Sequence, residues 1–312
     1  YTSFETQGRE TVKMDLNLIV QRGSEKLDKA NVIKKIKTAF QLGFDVVALN
    51  VVIGADQLGA KNKIPEPPQY SLAHPDLQPL TPRNRRLKIL TRLTANLTDG
   101  AESHRLFQSP VTKKYDILAI SVTQEKMFQG MCNQGEFDIV CLPLDDRLPF
   151  VVKRTQYGAA TGRGLFFEIQ YAPCIRDENS LRNTIANCQT LMHAGKGKGI
   201  IITSGAWMPQ ELRGPNDAAN LGFLFGLSEC TTREAVFGNC KGVVKHSETR
   251  RKVDRSIIFS KTVAELPEKD KWLVDACKAP GVEEVARKPS GSGDSQKQEG
   301  PPPKKKKKKG NC

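Results

Sequence analysis

No apolar run in this chain approaches the roughly 20 residues that a membrane-spanning helix needs. The longest, Val46 to Ile53, is interrupted by Asn50. Histidine is scarce: His74, His104, His193 and His246 are the only four, and they form neither a His-x-His pair nor a His-Glu-x-x-His motif. None of the eight cysteines makes a Cys-x-x-Cys pair, so zinc-ribbon and thioredoxin-like sites are unsupported. Most of them sit in apolar context as small hydrophobes. With no secretory signal in view, a reducing compartment is expected. Ser204-Gly205 lacks the Gly-x-Ser-x-Gly frame of a nucleophile elbow. These absences remove the commonest metal-dependent and serine-based hydrolases.

What the chain does have is positive charge. The net charge is +14 over 312 residues. From Gly281 onward nine Lys or Arg stand against four acidic residues, so the end of the chain supplies +5 and the remainder +9. A basic folded part followed by a basic tail predicts a polyanionic partner, nucleic acid ahead of membrane.

A short phrase recurs three times: Phe44-Asp45-Val46-Val47, Tyr115-Asp116-Ile117-Leu118 and Phe137-Asp138-Ile139-Val140. Each sets an aromatic and an Asp ahead of an aliphatic, β-branched run, the pattern of a strand buried on both faces. Helix-length segments separate such runs, which predicts successive βα units around a parallel sheet. Because chemistry in βα barrels sits at the C-terminal ends of strands, an Asp that opens a strand reads as structural.

The strands are expected at Met14–Val20, Val46–Asn50, Leu87–Leu93, Asp116–Val122, Asp138–Leu142, Gly164–Tyr171 and Gly199–Thr203. Gly242–Lys245 is the best candidate for an eighth. A helix from about Lys26 to Leu42 carries Leu27, Val32, Ile36, Ala39 and Phe40 on one face and stops at Gly43. The fold class is thus α/β: a TIM-barrel-like (βα) barrel of seven or eight parallel strands over residues 14–262. Residues 1–13 form a polar stub with no structural role. Residues 54–86 form a Pro-rich insertion, and residues 280–312 a disordered tail ending in Lys304 to Lys309.

Candidate catalytic groups are few. Asp15-Leu16-Asn17 on the first strand offers two oxygen ligands and no imidazole. Glu168 is either a general acid or base, or an ion-pair partner inside the barrel for an Arg such as Arg92. Gly158 to Gly164 resembles a phosphate-binding loop without its Gly-Lys-Ser/Thr ending, and Gly195-Lys196-Gly197-Lys198-Gly199 is a flexible turn with two lysines. Basic residues gather where strands meet loops, among them Lys88, Lys153, Arg154, Arg163, Arg213 and Arg250. Phosphate and shape recognition of RNA uses such residues.

Specific segments carry a family resemblance. Arg163-Gly164-Leu165-Phe166-Phe167-Glu168-Ile169 with Tyr171-Ala172-Pro173 resembles the signature of the thirty-kilodalton protein subunit of ribonuclease P and ribonuclease MRP. Lys88 to Thr94, Leu148-Pro149-Phe150 with Lys153-Arg154, and Leu212-Arg213-Gly214-Pro215 are similar to the same family. So are Asp217, Ala219-Asn220-Leu221-Gly222 and Leu224-Phe225-Gly226-Leu227-Ser228. The likeness runs in order from about Asp15 to Arg251. It leaves out the N-terminal stub and the polylysine tail.

The resemblance implies a barrel related to metal-dependent phosphoesterases that has lost its metal ligands. It also implies a non-catalytic, RNA-binding subunit serving 5′-leader removal from precursor tRNA and, in the MRP particle, precursor rRNA processing. No cofactor is expected on the protein itself, while the RNA-based reaction would use Mg²⁺. Implied partners are the ribonuclease P and MRP RNAs, a Pop-five-type protein subunit, other particle proteins and precursor tRNA, with no membrane. Asn17 and Gly162 depart from the acidic residues that relatives often carry. Lys88, Arg92, Lys153, Arg154, Arg163, Lys196, Lys198, Arg213 and Arg250 are expected to line the RNA or support residues that do. The lysine run after three prolines reads as a nuclear localisation signal or RNA arm, which places the chain in the nucleus and nucleolus. Cys312 is the last residue, whereas prenylation needs a Cys four residues from the end. The alternative is a metal-dependent phosphoesterase on the same barrel, using Asp15, Glu168 and Asp217.

Overall fold

A computed structural model of the chain describes residues 12–25, 27–58, 64–70, 87–254 and 258–259. Seven parallel strands pair in chain order: β1 (Met14–Arg22), β2 (Val46–Ile53), β3 (Lys88–Leu97), β4 (Ile117–Val122), β5 (Ile139–Cys141), β6 (Phe166–Gln170) and β7 (Ile200–Thr203). Nine α-helices are described: α1 (Lys29–Leu42), α2 (Gly100–Gln108), α3 (Glu125–Gln134), α4 (Arg154–Gly162), α5 (Ala172–Arg176), α6 (Glu178–Gly195), α7 (Pro215–Leu224), α8 (Glu229–Arg233) and α9 (Asn239–Lys252). A π-helical turn, Glu234–Gly238, joins α8 to α9. A short antiparallel pair, β8 (Val253–Asp254) with β9 (Ile258–Phe259), ends the described chain. The polylysine tail, the stub up to residue 11 and most of the Pro-rich insertion lie outside the described residues.

The strands are buried on both faces, and two apolar clusters result. One lies between the sheet and the helices, where Val47, Leu93, Leu118 and Phe167 meet Ile36, Leu106, Phe128 and Leu191. The other fills the N-terminal end of the barrel with Met14, Leu16, Val46, Ile117, Ile139 and Ile201. Helix α1 shows how local chemistry sets an element's limits. The Asp28 carboxylate accepts hydrogen bonds from the Ala30 and Asn31 amides, at 3.0 and 3.2 Å, and Gly43 ends the helix at φ 101°.

The recurring phrase has one physical meaning in three places. Met14 pairs with Val46, Arg92 with Ile117 and Ala119 with Ile139. One residue ahead of each pairing, the Asp side chain accepts the backbone N–H of the neighbouring strand. Asp45 takes Lys13 N at 2.9 Å, Asp116 takes Thr91 N at 2.8 Å and Asp138 takes Leu118 N at 2.9 Å. Each carboxylate satisfies an amide that the ladder would otherwise leave unpaired. The preceding aromatics Phe44, Tyr115 and Phe137 are buried. The structural reading of these Asp residues holds.

Closure of the barrel differs from expectation. Gly242–Lys245 is not an eighth strand but part of α9. Its paired valines suit a strand locally. In the fold, however, Cys240 and Val243 point from a helix into the N-terminal end of the barrel, and tertiary packing overrides β-propensity. Just past the end of β7 the chain meets β1 through an isolated bridge, Leu18 with Ala206, supported by Gly205 N to Asn17 O at 3.0 Å and Ile19 N to Ala206 O at 3.1 Å. Ser204, weighed above as a nucleophile, is fully buried, and its hydroxyl donates to Asn17 O at 2.9 Å. Gly158–Gly164 is likewise not a phosphate loop, because Arg154–Gly162 is helical.

Helix α9 is held by charge as well as packing. Arg250 pairs with Asp138 at 2.9 Å, His246 Nδ1 lies 2.8 Å from the same carboxylate, and Arg251 pairs with Asp116 at 2.8 Å. The Asp138 side chain is fully buried. Replacing Asp138 by Asn should therefore lower stability by about 3 kcal/mol, because Arg250 would lose its charge partner at a buried site. Urea unfolding of the full chain measures this, and a loss below 1 kcal/mol would mean that packing alone seats the helix.

Candidate functional site

Above the apolar layer the barrel interior turns polar. Arg92 in β3 and Glu168 in β6 meet there with both side chains at zero exposure. Arg92 Nη1 bonds Oε1 of Glu168, and Nη2 bonds Oε2 at 2.7 Å. The guanidinium also donates to Leu16 O at 3.0 Å, Thr94 Oγ1 at 3.1 Å and Cys141 Sγ at 3.2 Å. The carboxylate further accepts from Thr203 Oγ1 at 2.8 Å, Cys141 Sγ and Gln170 Nε2 at 3.0 Å, and Asn17 Nδ2 at 3.2 Å. Asn50 extends the network, donating to Asn17 Oδ1 at 2.7 Å and accepting from Thr94 Oγ1 at 2.8 Å.

The electrostatics follow from these contacts. Burial alone would raise the Glu168 pKa, but Arg92 and the surrounding donors outweigh it and hold the carboxyl at about 2. Burial pushes the Cys141 thiol well up, and the neighbouring Glu168 adds to the shift. Asp15 is buried and its pKa is raised, first by desolvation. Its Oδ1 accepts from the Asn17 and Ser204 amides, both at 3.1 Å, while Oδ2 has no partner.

This arrangement is poorly suited to catalysis. A carboxylate with its oxygens committed and its pKa near 2 is a weak proton acceptor at neutral pH. Asp217, the third carboxylate of the phosphoesterase alternative, is exposed in the first turn of α7. Among the described residues no three His, Cys, Asp or Glu side chains converge in a metal-binding group. The donor set does not fit a metal, and a guanidinium already supplies positive charge to Glu168.

At the C-terminal ends of the strands, next to this network, lies a cavity of about 410 Å³. Asn50, Thr94, Asn96, Ser121 and Gln170 give it a neutral polar lining, and Arg22, Asp56 and Asp145 supply its charged groups. Beside it, two cations lie over the Trp207 ring, Arg22 at 5.2 Å and Lys35 Nζ at 5.3 Å from the ring centre. Lys35 is buried, donates to Ile19 O and to Trp207 O at 3.1 Å, and burial lowers its pKa to about 8.

The basic residues singled out in the sequence do not form one cluster. Arg92 is inside the barrel with no exposure, and Arg250, half-buried, is tied to Asp138. Lys88, Lys196 and Lys198 are exposed at the N-terminal end of the barrel. Arg163 is also there and donates to the Met131 and Cys132 carbonyls that end α3, at 3.3 and 3.2 Å. Lys153, Arg154 and Arg213 belong to the opposite end. Lys153 pairs with Glu125 at 2.8 Å, and Arg213 donates to the Gln210 and Leu212 carbonyls, both at 2.9 Å. Asn96, Ser121 and the Trp207 group escaped sequence reading because no motif marks them. Asn50, the polar break in an apolar run, was a visible sign of the inner network beside the Arg92–Glu168 pairing.

Residues 12–252 match the model of the ribonuclease P subunit p30 family. The chain belongs to that family. It is 42% identical over 217 residues to the Mus musculus ribonuclease P protein subunit p30, covering 69% of this chain and 80% of that protein. The Saccharomyces cerevisiae ribonuclease P/MRP protein subunit RPP1 is 26% identical over 184 residues, which is 59% of this chain and 61% of that one. A protein chain in a cryo-EM structure of archaeal ribonuclease P with mature tRNA has the same fold, with a TM-score of 0.51 and 13% identity over 78% of this chain and 98% of that one.

Within this family frame the Arg92–Glu168 pair acts as a structural centre. Replacing Glu168 by Gln should cost about 3–5 kcal/mol, since it leaves a buried guanidinium without a counter-charge. The pair also predicts acid sensitivity. Glu168 is depressed from 4.5 to about 2, so its stabilisation is complete above pH 4.5 and is lost as pH falls towards 2. Unfolding free energy measured from pH 6 down to pH 2 tests this: the wild type should lose stability below pH 4.5 more steeply than Glu168→Gln. Parallel curves would remove Glu168 from that role.

Proposed function

We propose that this chain is a non-catalytic, RNA-binding protein subunit of ribonuclease P, supporting removal of 5′ leaders from precursor tRNA. Family membership over nearly the whole described barrel supports that reading. The observation that carries the non-catalytic part is the barrel interior. Where a barrel enzyme would hold its reactive groups, this one holds Arg92 and Glu168 in a closed, fully buried pair. Chemistry would then belong to the RNA, with Mg²⁺ serving the RNA and no cofactor on the protein.

The same reading extends to the ribonuclease MRP particle and precursor rRNA processing, supported by the likeness to a protein named for both particles. A Pop-five-type small subunit is the protein partner that the family resemblance implies. The nucleus, with its nucleolus, is the proposed location, resting on Lys304 to Lys309 as an import signal.

Tagged chain recovered from nuclear extract at moderate salt, followed by sequencing of bound RNA, tests the assignment. Enrichment of the ribonuclease P and MRP RNAs is expected, and protein free of RNA would overturn it. The exposed lysines at the N-terminal end of the barrel give a sharper expectation. Replacing Lys196 and Lys198 together by Ala should weaken RNA binding and flatten the plot of log affinity against log salt by about 1.5, because two phosphate contacts release their counterions. An unchanged slope would place the phosphates elsewhere.

A further inference from the structure

The cavity at the C-terminal end of the barrel is not used by the network below it. Its chemistry is specific. Asn50, Asn96 and Gln170 contribute amides, and Thr94 and Ser121 contribute hydroxyls. Asn50 and Thr94 are committed to the inner network and so are held in place. Asn96 and Ser121 are not: neither side chain hydrogen-bonds to a described residue, although both face the cavity. Val52, Leu142, Pro143 and Pro173 supply apolar walls.

The charges argue against an anion. Among the described lining residues Arg22 is matched by Asp145, so a phosphate would find no excess of positive charge there. The absence of a three-ligand acidic, histidine or cysteine group among the described residues argues against a metal-bound ligand. What remains is a neutral, flat, hydrogen-bonding group with apolar faces. About 410 Å³ is ample for one nucleobase and its ribose. Amide side chains bond base edges through paired donors and acceptors. RNA-binding proteins also favour unstacked bases that can be splayed into such recesses.

We infer that the cavity between the C-terminal ends of β2, β3, β4 and β6 receives one unpaired nucleobase of a bound RNA, with Asn96 and Ser121 reading its edge. This rests on the RNA-binding role proposed above and deepens it. The barrel would grip RNA in two chemically different ways: exposed lysines meet phosphates at one end, and neutral side chains hold a base at the other. Contacts to a neutral base release no counterions, so they add affinity without adding salt dependence.

The test is binding of full-length chain to transcribed ribonuclease P RNA across a salt series, for the wild type and for Asn96→Ala with Ser121→Ala. The expected result is about tenfold weaker binding with the salt slope unchanged, the scale of losing one base contact. Unchanged affinity would overturn the pocket while leaving the RNA-binding role intact. A weaker complex with a flattened slope would also overturn it, since the cavity would then be taking backbone. A wild type that fails to bind the RNA would instead overturn the proposed function. Thermal melting checks that the variant is folded. As a measurement that needs no variant, RNA substituted with 4-thiouridine should photo-crosslink to residues 142–145 of the wild-type chain, and crosslinks confined to the lysine-bearing end would reject the pocket.

Discussion

An arginine and a glutamate with no access to water occupy the centre of this barrel, and much of the fold is arranged around the cost of keeping them there. Each ion alone would carry a penalty of several kcal/mol on leaving water. The pair is tolerable because five strands contribute partners: Asn17 and the Leu16 carbonyl from β1, Thr94 from β3, Cys141 from β5, Gln170 from β6 and Thr203 from β7. Such a network makes the strands depend on one another. It also removes the reactivity that a buried carboxylate would otherwise bring, because ion pairing lowers the proton affinity that a general base needs. Stability of the interior and the low basicity of Glu168 have the same cause.

The N-terminal end of the barrel solves a different problem. A seven-stranded sheet that lacks a β7–β1 ladder has a gap, and α9 fills its base with Cys240 and Val243. The carboxylates that hold α9, Asp116 and Asp138, are the same ones that accept the amides of Thr91 and Leu118. Strand register and helix docking therefore share two side chains. A change at Asp138 would act on both.

Much of this architecture was legible in the sequence. Aliphatic runs announced all seven strands because parallel strands buried on both faces leave little room for polar residues. Gly43 and the Val32–Ile36–Ala39 stripe marked α1. Gly242–Lys245 misled because two adjacent valines satisfy a strand pattern and equally suit the buried side of a helix over the barrel floor. Arg92 was legible as a possible partner of Glu168, yet its charge also suggested RNA. One-dimensional reading cannot separate an inward strand position from a surface one when a single residue breaks the apolar run. Arg250 posed the same problem on a helix, where only its docking against Asp138 decides its role.

The division of polar groups between the two ends of the barrel bears on the RNA binding proposed for this chain. Long lysine side chains such as Lys196 and Lys198 can meet phosphates over a range of positions, giving affinity that depends on salt and little on sequence. Neutral amides anchored to a rigid network do the opposite, because a base edge must match them in direction as well as distance. Asn50 is fixed in that way through Asn17, and Gln170 through Glu168. The buried ion pair thus reaches the surface indirectly. By immobilising the strands beneath the cavity, it gives those amides the fixed geometry that discrimination of the proposed base would require.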